Sequence, residues 1–243
     1  MTRSVHLAPG RGWLVIAGFS FVAFLLLTVV VVVSGGVDAF DASVHRVAVS
    51  LRSPAATSLA VGATTLGSFA VVVGIAVAAA VVLRYRTHRW TSTVVLVTSL
   101  AVTAGIVFLL KIAVGRARPD TSSLLGTPSL DYAFPSGHTT NGSVVIVLTA
   151  VLVAVTLRRT TARRLVRLLG AVLAVGVGLS RVYLGYHWAT DVIGGWLLAT
   201  SVVCTAGYAA LSSGRQVLEA QPRPAVLIDN SHAAGDSRRP PRL

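Results

Sequence analysis

Long apolar blocks separated by short polar interruptions dominate the chain, and each block predicts a helix. A helix needs about 20 apolar residues to cross the hydrocarbon core of a bilayer. Six segments reach or approach that length: Trp13–Ser34, Ala55–Leu83, Trp90–Ile112, Thr139–Leu157, Leu165–Leu179 and Trp188–Leu211. They predict an all-α fold, a six-transmembrane-helix bundle over residues 1–211. The fifth segment is the weakest, because Arg163, Arg164 and Arg167 crowd its start and must snorkel. The first is too long for the apolar region of a secretory signal and ends in no A-x-A site, so it is expected to remain as an anchor helix. Trp13, Trp90, Trp188 and Trp196 fall near span ends or a turn or two inside, in keeping with an interfacial aromatic preference.

Two segments lie outside the blocks. Asp38–Ser53 places Phe40, Val44, Val47 and Leu51 on one helical stripe, with Asp38 and Asp41 at its start. This predicts a short helix, either lying in the outer interface or packed on the bundle. Ser212–Leu243 carries four prolines and scattered charge with little apolar periodicity, and is expected to be a disordered basic tail.

Composition agrees with the bilayer as solvent. The chain is 54% apolar and only 12% charged, with a mean hydropathy of +0.77, against about 25% charged residues in soluble domains. Its charge orients it. With the N-terminus inside, segments 1–12, 84–89, 158–167 and the tail after 211 hold 15 of the 21 Lys/Arg, and the opposite face holds 6. The positive-inside rule then puts both termini in the cytoplasm. The net charge of +13 is thus mainly a topology signal that needs no nucleic acid, since basic loops suit anionic headgroups. Cys204, the single cysteine, sits in an apolar run and reads as a small buried hydrophobe.

The charge left near the outer ends of the spans carries the candidate chemistry. Most of it falls in three strings: Lys111 to Pro119 at the end of the third block, Pro135-Ser136-Gly137-His138 at the start of the fourth, and Ser180 to Asp191 joining the fifth to the sixth. Ionisable groups at membrane depth are costly and mark a function or a pairing. By the topology all three strings share one end of the bundle. Lys111, Arg116, Arg118 and Arg181 would make a cationic pocket, with only Asp191 as an obvious counter-charge. Arginine forks match phosphate oxygens and lysine adds a point charge. Ser136 and Gly137 lead into a helix whose N-terminus favours an anion. His187 and Asp191, four apart, share a helix face, so the carboxylate can hold Nδ1–H and leave Nε2 as a nucleophile. His138, from another helix, can serve as the general acid. A metal held by His138, His187 and Asp191 is disfavoured, because the surrounding cations would repel it.

Each string alone is a common local pattern, but the three in order on one face are not. Together they resemble the signature K-x6-R-P, P-S-G-H and S-R-x5-H-x3-D of the type 2 phosphatidic acid phosphatase and vanadium haloperoxidase superfamily. Lys111, Arg118, Pro119, Pro135 to His138, Ser180, Arg181, His187 and Asp191 fill every position, over about 80 residues. The resemblance implies that Lys111, Arg118, Ser136, Gly137 and Arg181 hold a phosphate. It implies that His187, assisted by Asp191, forms a phosphohistidine, and that His138 protonates the leaving oxygen, with no metal or cofactor. Arg116 lies outside the pattern. The loop Asp120–Phe134 is long for a connection, and either serves as a lid or rests Leu124, Leu125 and Leu130 on the bilayer.

The expected function is a lipid phosphatase in the cell membrane, its partners a lipid phosphate substrate and the surrounding lipids. It would act on the extracytoplasmic face, with undecaprenyl or another polyprenyl diphosphate the preferred substrate. Phosphatidic acid, phosphatidylglycerol phosphate and a polyprenyl-linked sugar phosphate are alternatives, as is phosphoryl transfer to an acceptor. A transporter would carry its polar groups nearer the midplane, and a soluble haloperoxidase would lack the spans.

Overall fold

The computed structural model describes residues 10–33 and 38–219, which form eight α-helices and a 3-10 turn. In chain order they are α1 (Gly12–Val33), α2 (Asp38–Ser50), α3 (Pro54–Leu66), α4 (Phe69–Thr87), α5 (Thr91–Val114), the 3-10 turn Thr121–Ser123, α6 (Gly137–Ala154), α7 (Thr160–Tyr183) and α8 (Ala189–Glu219). Six of these are long and apolar enough to span a membrane: α1, α4, α5, α6, α7 and residues 189–213 of α8. The six-span bundle expected from the sequence is therefore the observed one.

α6 is its axis. Two thirds of the α6 span is buried, against 22% for α1, α4 and α5, so those outer helices turn most of their apolar surface outward. Val15, Phe19, Leu26, Phe108 and Leu168 are all exposed by more than half. Such a continuous apolar exterior requires lipid around it. Close approach of α6 and α7 rests on small residues, as in other membrane helix pairs. A Cβ on Gly170 would lie 2.6 Å from the Cβ of Ala150.

Two local readings change. The block Ala55–Leu83 is two helices rather than one. Ser53 caps α3 by accepting the Ala56 N–H, and Pro54 takes the first helical position, where it needs no donor. The helix then stops at Gly67, and Ser68 is extended (φ −66°, ψ 145°) before α4 begins. Here the chain passes so near the start of α6 that a Cβ on Gly67 would lie 3.2 Å from the carbonyl oxygen of His138. Hydropathy, which counts apolar character alone, does not register this break. At the other end, α8 runs on to Glu219, past the expected boundary at 211. The rest of the expected disordered tail, 220–243, lies outside the described residues.

α2 forms as expected, but its apolar stripe is only partly buried. Phe40 and Val47 are about half exposed (45% and 56%), whereas Asp41 is 1% exposed. Asp41, and His45 through Ser123 (2.9 Å), tie this short helix to the rest of the molecule.

Candidate active site

Three helix ends build the site. α5 terminates at Gly115, whose φ of +63° lets its N–H close on the Lys111 carbonyl at 2.9 Å. Lys111 thus sits in the last turn, 8% exposed, and the chain carrying Arg116 and Arg118 turns away from the helix axis. α6 begins after the cis Phe134–Pro135 bond, with Ser136 as N-cap. Phe134 is buried and stacks on Phe24 of α1 (6.0 Å between centroids), which ties this entry segment to the bundle. Past α7, the Tyr186 and His187 amides both donate to the Arg181 carbonyl (3.0 and 3.2 Å). Gly185 supplies the turn with φ +84°, and a Cβ there would lie 2.8 Å from the Ser123 carbonyl oxygen.

These ends surround a cavity of about 280 Å³, into which Lys111, Arg118, Gly137, His138, Arg181 and His187 project or open. Of the eight residues singled out in the sequence, six line it. The other two stand behind. Ser136 is fully buried, and its hydroxyl accepts from the Thr139 amide and hydroxyl (3.4 and 3.0 Å), so it holds the start of α6. Asp191 lies behind His187, and its carbonyl takes the Ser136 N–H at 3.1 Å, joining the starts of α6 and α8.

His187 is 1% exposed. Its Nε2 lies 3.1 Å from Nη1 of Arg118, and its Nδ1 lies 3.3 Å from Oδ2 of Asp191. A guanidinium only donates, so Nε2 is the acceptor and the proton is assigned to Nδ1, facing the carboxylate. Burial, then the Arg118, Arg181 and Lys111 charges, hold its pKa well below the usual imidazole value. The ring is neutral at physiological pH, with a lone pair directed among the cations. Arg181 donates to Thr64 of α3 (2.9 Å) and lies 3.8 Å over the Tyr186 ring, while its Nε is buried without a hydrogen-bond partner. An unpaired buried donor at the wall of a cationic cavity suits an anion.

The charge balance differs from the sequence reading. Asp191 is one of three carboxylates at the site, not the only counter-charge. Asp131, in the loop before α6, reaches Nζ of Lys111 at 2.9 Å and Nη2 of Arg118 at 2.6 Å. Burial works against its charge, but the Lys111 and Arg118 hydrogen bonds and charges outweigh it and bring the pKa down to about 2. Lys111 also donates to the Tyr132 carbonyl. The loop is tacked by Leu125 N–H to Leu184 O (2.9 Å) and Ala133 N–H to Arg116 O (2.8 Å), and Leu130 projects fully from it. Asp41 of α2 is the third carboxylate, and it pairs with Arg116. Asp131 and Thr64 escaped the sequence reading, and Arg116, expected among the cations of the pocket, stands behind the cavity instead, paired with Asp41. One signal was available: Asp and Glu number only 8 in the chain, so an acid inside an apolar helix or beside the cationic strings needed a partner.

Buried cations facing an oriented, neutral histidine at one end of a six-span bundle define a membrane enzyme that handles an anionic group. The comparisons with known proteins give it a family. A family model described as "PAP2 superfamily" matches residues 92–215, which run from α5 to α8 and include all three strings. The chain belongs to the PAP2 superfamily. A phosphatidylglycerophosphatase B of Bacillus subtilis is 29% identical over 180 residues, covering 74% of this chain and 87% of that protein. An undecaprenyl-diphosphatase of Sulfolobus acidocaldarius is 37% identical over 132 residues, 53% of this chain and 59% of that one. The crystal structure of a transmembrane PAP2-type phosphatidylglycerolphosphate phosphatase from Bacillus subtilis superposes with a TM-score of 0.73 at 25% identity, covering 85% of this chain and 98% of that one. This chain is a membrane phosphatase of PAP2 type.

Proposed function

We propose that the enzyme removes the terminal phosphate of a membrane lipid, a polyprenyl diphosphate foremost, through a phosphohistidine on His187. One observation carries the lipid reading: a single cavity joins the cations to an apolar wall. Its lining includes Lys111, Arg118 and Arg181 together with Phe69, Val72, Ala104, Val107 and Phe108 of α4 and α5. Phe69 and Phe108 are 69% and 62% exposed on the lipid-facing exterior. A phosphate can therefore reach the cations while its tail stays among apolar helices.

The substrate phosphate takes the place of Asp131 on Lys111 and Arg118, and Arg181 adds its free donor. Nε2 of His187 attacks phosphorus as the bond to the leaving oxygen breaks, and His138 gives that oxygen a proton. Asp191 offsets the charge on the phosphorylated imidazole. Water, deprotonated by His138, then breaks the P–N bond, releasing phosphate and restoring neutral His187. Positioning and charge stabilisation carry most of the catalysis in phosphoryl transfer. The arginine asymmetry, 15 against 6, supports placing this end on the extracytoplasmic face.

Asp131→Asn is expected to lower KM for a lipid phosphate several-fold with little change in kcat, because an uncharged amide competes less with the substrate for Lys111 and Arg118. Steady-state kinetics in detergent micelles measures it, and a raised KM would reverse the role given to Asp131.

The likeness over 87% of a phosphatidylglycerophosphatase favours phosphatidylglycerol phosphate as the second reading. Purified enzyme with EDTA, offered polyprenyl diphosphate, phosphatidylglycerol phosphate, phosphatidic acid and a soluble phosphomonoester, separates the two by kcat/KM for phosphate release. The first reading requires polyprenyl diphosphate to rank highest. A preference for the soluble ester would end the lipid assignment, and an absolute need for Mg²⁺ the metal-free mechanism. Transfer of phosphate to an added lipid or sugar acceptor, in place of its release, would make the enzyme a phosphotransferase.

A further inference from the structure

Arg116 belongs to none of the three signature strings and does not line the cavity, yet it is among the most completely paired side chains in the molecule. Its guanidinium side chain is 8% exposed and lies between two carboxylates. Nη2 donates to Oδ2 of Asp41 at 2.6 Å, and Nη1 donates to Oδ1 of Asp191 at 2.6 Å and to the Thr190 hydroxyl at 2.7 Å. Thr190 returns the connection to α2. Its amide donates to Oδ1 of Asp41 (2.9 Å) and its hydroxyl to Oδ2 (2.6 Å). The Asp41 carboxylate, 1% exposed, is thereby held at both oxygens.

The consequence falls on Asp191. Arg116 occupies its Oδ1, and the Trp188 amide reaches its Oδ2 at 2.9 Å, so the carboxylate plane is fixed with Oδ2 toward Nδ1 of His187. Free rotation of Asp191 would let His187 turn and lose the Nε2 direction into the cavity. Charge points the same way. Asp41, Arg116 and Asp191 sum to one negative charge behind a neutral imidazole that becomes cationic when Nε2 bonds to phosphorus. A lone buried carboxylate would be held less strongly in its ionised form, and a simple Arg116–Asp191 pair would leave no net charge to meet the imidazolium.

We propose that Arg116 and Asp41 are positioning residues for the phosphatase reaction, acting through Asp191 to fix the tautomer and direction of His187, with α2 clamped to α8 for that purpose. The inference rests on His187 as the nucleophile. It gives the short helix α2 a role in turnover, although no residue of α2 lines the cavity. Because the cluster stands behind the imidazole, it acts on the chemical step and leaves phosphate binding to Lys111, Arg118 and Arg181.

The test is full-length enzyme in detergent carrying Asp41→Asn, Arg116→Gln or Thr190→Val, with His187→Ala beside them, each checked for folding by thermal unfolding. Asp41→Asn and Arg116→Gln should lower kcat about tenfold or more, as loss of an outer partner of a functional imidazole does, with KM within about twofold. Thr190→Val should lower kcat less. Asp41→Asn should also move the acid limb of the kcat/KM profile to lower pH, since a negative charge is withdrawn from behind His187. The imidazole otherwise keeps the same charged neighbours: Lys111 of α5, Arg118 of the following segment, His138 of α6, Arg181 of α7 and Asp191 of α8. A merely structural role would lower the amplitude of that profile and leave its limb in place. Unchanged kcat, or an unmoved limb, in folded Asp41→Asn overturns the proposal. If that variant and Arg116→Gln do not fold, unchanged kcat in Thr190→Val overturns it. Turnover in folded His187→Ala would instead remove the nucleophile reading beneath it.

Discussion

His187→Ala is expected to reduce phosphate release from every lipid substrate by at least about 10³-fold, in line with the loss of a nucleophile from a cooperating set. The expectation rests on where the ring stands. It is buried, neutral by virtue of that burial and of the cations around it, and its Nε2 is turned among Arg118, Arg181 and Lys111. Alanine leaves the cations in place, so the substrate should still bind. KM then stays near its wild-type value while kcat collapses, which separates loss of the attacking atom from loss of the site. Phosphate release by purified, folded protein measures it, and residual turnover within tenfold of wild type would exclude a phosphohistidine at this position. The ring's depressed pKa adds a pH corollary. The folded state favours the neutral form, so His187 takes up a proton more readily in the unfolded chain. Its contribution to stability is therefore complete above the ordinary imidazole value of about 6.5 and declines as pH falls below it.

Arg118→Ala should lower kcat/KM by about 10²–10³-fold, as removal of one well-placed donor to a developing charge does. This residue has three duties at once. It donates to Nε2 of His187 (3.1 Å) and to the Tyr186 carbonyl (2.6 Å), and it pairs with Asp131 (2.6 Å). A phosphate entering the cavity would replace the Asp131 carboxylate on the same planar fork. Arg118→Lys should restore little, since one ammonium cannot span these partners. The same steady-state assay reads both variants, and near-wild-type kcat/KM in Arg118→Lys would reduce the site to a plain charge effect. Asp131→Asn moves KM the other way, and together the three variants separate charge from geometry at the phosphate position.

Much of this was legible in the chain. Lys111, Gly137, His138, Arg181 and His187 could be assigned to one site because each lies at a span end, and the alternation of spans brings those ends to one face. What escaped was anything that depended on distant pairing. Arg116 and Asp41 are 75 residues apart, and Thr190 and Asp41 are 149 apart. No local pattern foretells such contacts. Asp131 looked like one loop residue among many, and its hold on Lys111 and Arg118 depends on a chain path tacked at Leu125 and Ala133.

The sequence by itself determined the solvent, the six spans and the residues gathered at one end. Transfer of apolar side chains to lipid is a local, additive quantity that any window of the chain carries. The tertiary structure decided the break at Gly67, the burial of Asp41 in a short helix outside the spans, and the three-carboxylate balance around the cations. Those features arise from close approach and from charge neutralisation between segments far apart in the chain. Burying an arginine requires its partners to be present, and only the fold decides which of the few acids they are.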